Sequence, residues 1–246
     1  MLKGNEFFAD NGSGEFVART AQNGKTEDGL QLTDAAIARL FSARPAHYAA
    51  KAMIYNEGGT VDTVYVVRRG MVKLISHLPN GRARIVRVHS TGSWLGLGGL
   101  LGQPYEHTAI AVDDVEVYRI PANELLRVKE ENPHLYCRLI EHWFDYLQEA
   151  DLWIAELSTG AIKARVARLV NFLSEIENQL PSNEVRLLTC EEMADILGAT
   201  PESVSRVLAE FKRNKLLSPC PTTNPPYNTH DCYQRDESAL NFIAQH

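Results

Sequence analysis

The sequence is short of everything that marks a secreted, membrane-spanning or fibrous chain. Its four cysteines, at 137, 190, 220 and 232, form no CxxC pair, which excludes a disulfide framework and gives no strong metal signature. No apolar run approaches the ~18 residues of a membrane span. The opening stretch, MLKGNEFFADNGSGEF, has no apolar signal core. The expectation is a soluble, cytoplasmic chain with no membrane partner. There is no GxSxG elbow, no phosphate-binding P-loop and no HExxH pair. Glu191 and Glu192 are adjacent, so on a helix they point differently and read as capping residues. No enzyme is expected. Positive charge is not in excess either: 25 Lys and Arg stand against 31 Asp and Glu, for a net charge of −6. That disfavours loose attachment to nucleic acid and leaves room for a local basic surface only.

What is present is ordinary globular composition, 44% hydrophobic over 246 residues, enough for one large domain or two small ones. Residues 1–30 are polar and Gly/Asn-rich and are expected to form a flexible N-terminal segment. LTDAAIARLF (32–41) reads as a short helix. From about 45 to 120 the chain is a series of short β-rich runs, TVYVVRRG, MVKLISHL, RARIVRVH and HTAIAVDDVEVYRI, divided by turn signals such as EGG, LPNG and TGS. Many short strands at regular spacing predict a β-roll in jelly-roll style, placed at 31–132.

PANELLRVKEENP then makes a short helix, and a long one runs from Pro133 to about 158. Tyr136, Leu139, Trp143, Tyr146, Ala150, Trp153 and Leu157 step by 3 and 4 alternately, the pattern of a coiled-coil seam. The spacing predicts a dimerisation helix over 133–158, the alternative being a helix packed on its own roll. His142 lies beside the seam. Ser158-Thr159-Gly160 reads as a hinge into a second domain, 159–246.

In that domain LTCEEMADILG carries a capping box, Thr189 with Glu192, and ends at Gly198. ATPESVSRVL starts the next helix with Thr200 as N-cap and Pro201 in the first turn. Val204, Leu208 and Phe211 face inward, which leaves Glu202, Ser205 and Arg206 together on the outer face. Helix, glycine turn and second helix make a helix-turn-helix. The outward trio is either a solvated face with an i,i+4 ion pair or a set of base-reading groups. The remainder, to FIA, reads as a wing-like hairpin with a long Pro-rich loop at 218–231, flanked by Cys220 and Cys232. These are expected to be free thiols, with a redox switch as the alternative.

An α+β chain of β-roll, long dimer helix and winged helix-turn-helix, in that order, resembles the CRP/FNR family of bacterial transcription regulators. The markers are GGTVDTVYVVRRGMVKL, TGSWLGLGGLLG and LTCEEMADILGATPESVSRVL. The resemblance implies a homodimer that binds double-stranded DNA and contacts RNA polymerase. It makes 201–213 the recognition helix in the major groove. Arg206 can donate twice to guanine, Glu202 can accept from cytosine N4, and Ser205 can approach a thymine methyl or adenine edge. ESVSR matches the Glu-x-x-Ser-Arg of the FNR branch, which implies an inverted pair of TTGAT-like half-sites. Phosphate contacts are expected from Thr189, Thr200, Ser203, Arg165, Arg168, Lys212 and Arg213, with Lys215 nearby. A ligand-binding subunit that acts through protein partners is the competing reading.

The same resemblance says what the sensory half lacks. Where cyclic-nucleotide members carry a ribose-binding Glu and a phosphate-binding Arg, this chain has Leu97 and His107, and only Thr108 keeps the hydroxyl. A buried phosphate needs a permanent forked cation, which a neutral His does not supply. Cyclic AMP and cyclic GMP are therefore not expected. The first cysteine is Cys137, so no iron–sulfur cluster is expected. Three inputs stay open. One is another small molecule among Gly96, Leu97, Gly98, Gly99, Leu100, His107, Thr108, Trp143 and Tyr146. Another is haem on His107, His142 or His89. The third is no ligand at all.

Overall fold

The computed structural model describes residues 41, 43–79, 81–177, 183–220 and 232–245, apart from the His142 side chain. The N-terminal segment, the helix expected at 32–41 except for Phe41, and most of the Pro-rich loop lie outside the described residues.

Eight strands build the roll: β1 (Pro45–Tyr48), β2 (Met53–Tyr55), β3 (Thr63–Arg69), β4 (Val72–His77), β5 (Ala83–His89), β6 (Trp94–Leu95), β7 (Thr108–Ala111) and β8 (Val115–Pro121). They form two four-stranded sheets, β1-β8-β3-β6 and β2-β7-β4-β5, with antiparallel pairing throughout. β3 explains why TVYVV is apolar without alternation. Tyr65 and Val67 face the space between the sheets, with Ile54, Val72, Leu95, Ala109 and Val117. Val64 and Val66 face the other way, into a second core with Trp94, Ile120 and Leu125. A strand covered on both faces has no polar side to show. β1, β2 and β6 are short and had no clear signature in the sequence.

Helix α1 (Ala122–Glu131) leads into α2 (Pro133–Ser158). Asn132 caps α2, its side chain accepting from the Leu135 amide at 3.1 Å, and Pro133 suits the first turn. The second half comprises α3 (Ile162–Ile176), β9 (Glu184–Arg186), α4 (Cys190–Leu197), α5 (Pro201–Arg213), β10 (Leu217–Pro219), β11 (Cys232–Arg235) and α6 (Glu237–Gln245). Its small sheet runs β10-β11-β9. Among the described residues, no helix is long and apolar enough to cross a membrane.

The second half is docked on the roll. Met71, Ile85, Val88 and Val112 share one core with Leu169, Leu173, Leu187 and Ile196. Polar groups tie the same boundary. Lys73 pairs with Glu192 at 2.7 Å, and Arg84 donates to the Ile196 carbonyl at 3.1 Å. Arg186, 1% exposed, reaches Asp113 of the roll at 2.6 Å and also pairs with Glu177. Asp113 in addition accepts from the Met71 amide at 2.8 Å.

On the long helix, the stripe expected as a seam makes contacts within the chain. Tyr136, Leu139, Trp143 and Tyr146 pack on the roll, and Trp153 and Leu157 on the second half. The Tyr146 hydroxyl accepts from the Trp94 amide at 2.8 Å. Leu139, Trp153 and Leu157 are buried, and Tyr136, Trp143 and Tyr146 are half-buried against the roll. The apolar face left open is another one, with Phe144 57%, Leu147 56% and Ile154 61% exposed, in line with half-buried Ile140. Ile140, Phe144, Leu147 and Ile154 keep the same 4, 3, 7 step one position along the helix.

Candidate DNA-reading helix and sensory cavity

The helix-turn-helix forms from local signals. The Thr189 hydroxyl accepts from the Glu192 amide at 3.2 Å, and the Glu192 carboxylate accepts from the Thr189 amide at 3.0 Å, closing the capping box. Gly198 ends α4 at φ +59, a conformation that L side chains rarely adopt. A Cβ there would also lie 2.6 Å from the Arg84 guanidinium of the roll. Thr200 caps α5 through the Ser203 amide, with Pro201 at the first position. Val204, Val207, Leu208 and Phe211 are buried.

The outward trio is free to meet a ligand. Glu202, Ser205 and Arg206 are all exposed. Among the described residues, Arg206 makes long contacts at 3.4 Å, to the Glu202 carbonyl and the Ser203 hydroxyl. Such contacts are weak and easily exchanged for a base edge. The Glu202 carboxyl is held below its usual range by its own backbone amide and the Thr200 hydroxyl, so it stays an acceptor at neutral pH. Thr189, Thr200, Arg213 and Lys215 are exposed and Ser203 is half-buried. Lys212 is exposed as a residue, while its ammonium donates to the Tyr233 hydroxyl at 2.7 Å.

Two of the residues expected at phosphates, Arg165 and Arg168, are engaged within the chain. Arg165 donates to the Leu157 carbonyl at 2.7 Å. Arg168 donates to the carbonyls of Glu156 at 2.8 Å, Thr159 at 2.9 Å and Ala244 at 2.8 Å, and also pairs with the Glu156 carboxylate. Both arginines satisfy the orphan carbonyls at the end of α2 and brace the hinge. On sequence they were indistinguishable from phosphate binders.

The roll encloses a cavity of about 380 Å³ against α2. Gly96, Leu97, Gly98, His107, Trp143, Tyr146, Ala150 and Trp153 line it. Three expected pocket residues do not. A Cβ on Gly99 would lie 2.4 Å from Val61, because that glycine is pressed against the roll wall. Leu100 is buried in the core beneath α1. The Thr108 hydroxyl is already used, donating to Asn56 at 3.0 Å and accepting from the Glu57 amide at 3.1 Å. Sequence reasoning also missed Arg84 and Arg87, both on the cavity wall. Arg87 donates to the Tyr146 carbonyl at 2.6 Å. His89 stands edge-on to Tyr146 with ring centroids 5.3 Å apart. Burial, helped by Arg87 and His107, pushes its pKa down to about 3, and His107 is also lowered by burial. Both imidazoles are neutral at pH 7. Exposed Leu147 and Ile154 line the same cavity, so its mouth opens along the unpartnered face of α2.

A smaller cavity of about 150 Å³, shared by His89, Trp153 and Glu175, lies between roll and second half. Neither carboxylate oxygen of Glu175 has a hydrogen-bond partner among the described residues. Burial pushes its pKa up to about 7 from 4.5; Arg235 opposes the shift and Glu237 adds to it. The folded state therefore holds a proton that the unfolded chain has lost, and stability falls as pH rises from about 4.5 to about 7. Glu175→Gln is expected to flatten that fall, with a gain of roughly 2–4 kcal/mol above pH 8, seen in urea midpoints against pH. Parallel wild-type and variant curves would contradict this.

Comparison with known proteins fits this arrangement. Residues 45–132 match the cyclic nucleotide-binding domain family, and residues 167–222 match the Crp-like helix-turn-helix domain family. The transcriptional regulator LdrP of Thermus thermophilus is 30% identical over 173 residues, 70% of this chain and 86% of that one. The structure of FixK2 from Bradyrhizobium japonicum superposes with a TM-score of 0.69 at 24% identity, covering 82% of this chain and 96% of that one. A CRP-family transcriptional regulator from Thermus thermophilus gives 0.65 at 27% identity, covering 82% and 97%. The chain belongs to the CRP/FNR family: a transcription regulator with a helix-turn-helix DNA-binding domain.

Proposed function

We propose that this regulator acts as a homodimer on an inverted pair of TTGAT-like half-sites, governed by a small molecule other than a cyclic nucleotide, and contacts RNA polymerase from its DNA-bound state. Residues 31–132 serve as sensor, 133–158 as dimer helix and 159–246 as reader, after the N-terminal segment 1–30. The observation that carries the reading is the exposed trio Glu202, Ser205 and Arg206 on a helix capped by Thr200 after the Gly198 turn. Arg206 reads guanine and Glu202 reads cytosine. Arg206→Ala is expected to relax preference at one G·C pair per half-site, about 1–3 kcal/mol, in binding titrations over singly substituted duplexes at fixed salt. Equal weakening on every duplex would assign Arg206 to phosphate instead.

The dimer forms along Ile140, Phe144, Leu147 and Ile154. Charges on this face leave the subunit core intact, since three of the four are more than half exposed. Leu147→Glu with Ile154→Glu is expected to give monomers by sedimentation and to lose tight binding to a two-half-site duplex. A variant that stays dimeric would contradict this seam.

The effector sits in the roll cavity. Leu97 and neutral His107 offer no ribose acceptor and no forked cation, and the two guanidiniums on the wall are already engaged, Arg84 with the Ile196 carbonyl and Arg87 with the Tyr146 carbonyl, while Trp94, Trp143 and Tyr146 offer aromatic surface. An apolar or aromatic molecule fits these walls better than a phosphate ester. Because Leu147 and Ile154 belong to both cavity and seam, occupancy changes how two α2 helices meet, and so how the two reading helices are aimed.

A further inference from the structure

Outside the reading helix and the cavity, one cluster of side chains has no role in DNA reading or effector binding. Cys220, Cys232 and Glu184 place two sulfurs and a carboxylate oxygen all within 4.8 Å of one another at the base of the wing. The Cys232 sulfur lies 3.8 Å from Glu184 Oε2. Each residue comes from a different strand or strand end of the small sheet. Glu184 pairs with Gln234 across β9 and β11, and the Cys220 amide donates to the Cys232 carbonyl at 3.2 Å, just past β10. All three are half-buried, so an ion can reach them from solvent.

We propose that Cys220, Cys232 and Glu184 bind one thiophilic divalent cation of the zinc class. Tetrahedral zinc holds sulfur at about 2.3 Å and carboxylate oxygen at about 2.0–2.2 Å, which sets ligand atoms roughly 3.5–3.8 Å apart. No two of the donor atoms are more than about 1 Å beyond that spacing, and the β9–β11 register fixes the backbone of Glu184 and Cys232. Three protein ligands leave a fourth position to solvent.

Binding converts both thiols to thiolates, so one M²⁺ enters and two protons leave. Apparent affinity then rises about a hundredfold per pH unit while both thiols are protonated. The site connects to the reader and to the domain boundary. Tyr233, next to Cys232, holds the Lys212 ammonium, and Arg186, opposite Cys232 in register, joins Asp113 and Glu177. An ion here stiffens the strand between the recognition helix and the roll.

The test uses the full chain, reduced and stripped with a chelator, then titrated with Zn²⁺ against a chromophoric chelator and separately with Co²⁺. The expected result is one ion per chain, with a thiolate-to-cobalt charge-transfer band in the near ultraviolet. Cys232→Ser and Cys220→Ser should weaken zinc at least a hundredfold and remove the band, and Glu184→Gln should weaken it at least tenfold. Cys137→Ser should bind as wild type. If Cys232→Ser fails to fold by circular dichroism, Cys220→Ser, outside the paired strand, carries the test. Absence of binding overturns the proposal. So does a cobalt band unchanged in the cysteine variants, or a stripped protein that takes no zinc but forms a Cys220–Cys232 disulfide under peroxide.

Discussion

Arg186→Ala is expected to lower stability by roughly 3–5 kcal/mol. The guanidinium is buried between Asp113 and Glu177, both of them nearly inaccessible. Removing it leaves two carboxylates in the interior with no cation, and they cannot regain water without opening the boundary between roll and reader. The midpoint of thermal unfolding should fall by about 6–20 °C for a chain of this size. Asp113→Asn with Glu177→Gln in the Arg186→Ala background removes the stranded charges and should recover part of the loss. A loss below about 1 kcal/mol would show that the cluster is solvated, as surface pairs are.

The second large effect concerns the reader. Glu202→Ala with Arg206→Ala is expected to reduce binding to the matched duplex to the level of an unrelated one, while leaving dimer mass and melting temperature unchanged. Each lost base contact costs about 1–3 kcal/mol per half-site, so the pair removes at least ~30-fold and as much as ~10⁴-fold per half-site. Specific binding exceeds non-specific binding by about 10³–10⁷, so this loss consumes most of the difference. Both residues are exposed, Arg206 makes long contacts and Glu202 bonds only within the first turn of its own helix, so little folding cost is expected. A variant still selective for the matched site would move readout elsewhere.

The parts of this molecule that were legible in the sequence are those encoded locally. The Thr189–Glu192 box, the Gly198 turn and the Thr200-Pro201 start lie within a few residues of the structure they specify. The same holds for Asn132-Pro133 and for the inward set Val204, Leu208 and Phe211. What the sequence hid depends on distant partners. The long helix carries two apolar stripes at the same period, and sequence does not say which meets its own roll and which stays open. The aromatic one, around Trp143 and Trp153, went inward. Arg165 and Arg168 look like phosphate binders until the end of α2 is placed over them. Arg186 reads as an ordinary strand residue, and its partner Asp113 is 73 positions away. Arg84 and Arg87 reach the cavity and its neighbours because the β4–β5 register shifts between Leu74 and Ile75. A strict alternation along RARIVRVH does not anticipate that.

The most direct test of DNA reading by this regulator is selection of bound duplexes from a random pool by the purified protein at fixed salt, with and without cell extract as effector source. The expected result is enrichment of two inverted TTGAT-like half-sites with centres about one helical turn, or ~34 Å, apart, and loss of that enrichment when Glu202 and Arg206 are both changed to Ala. Enrichment of a TGTGA-type palindrome, of a single half-site, or of no sequence under either condition would contradict it.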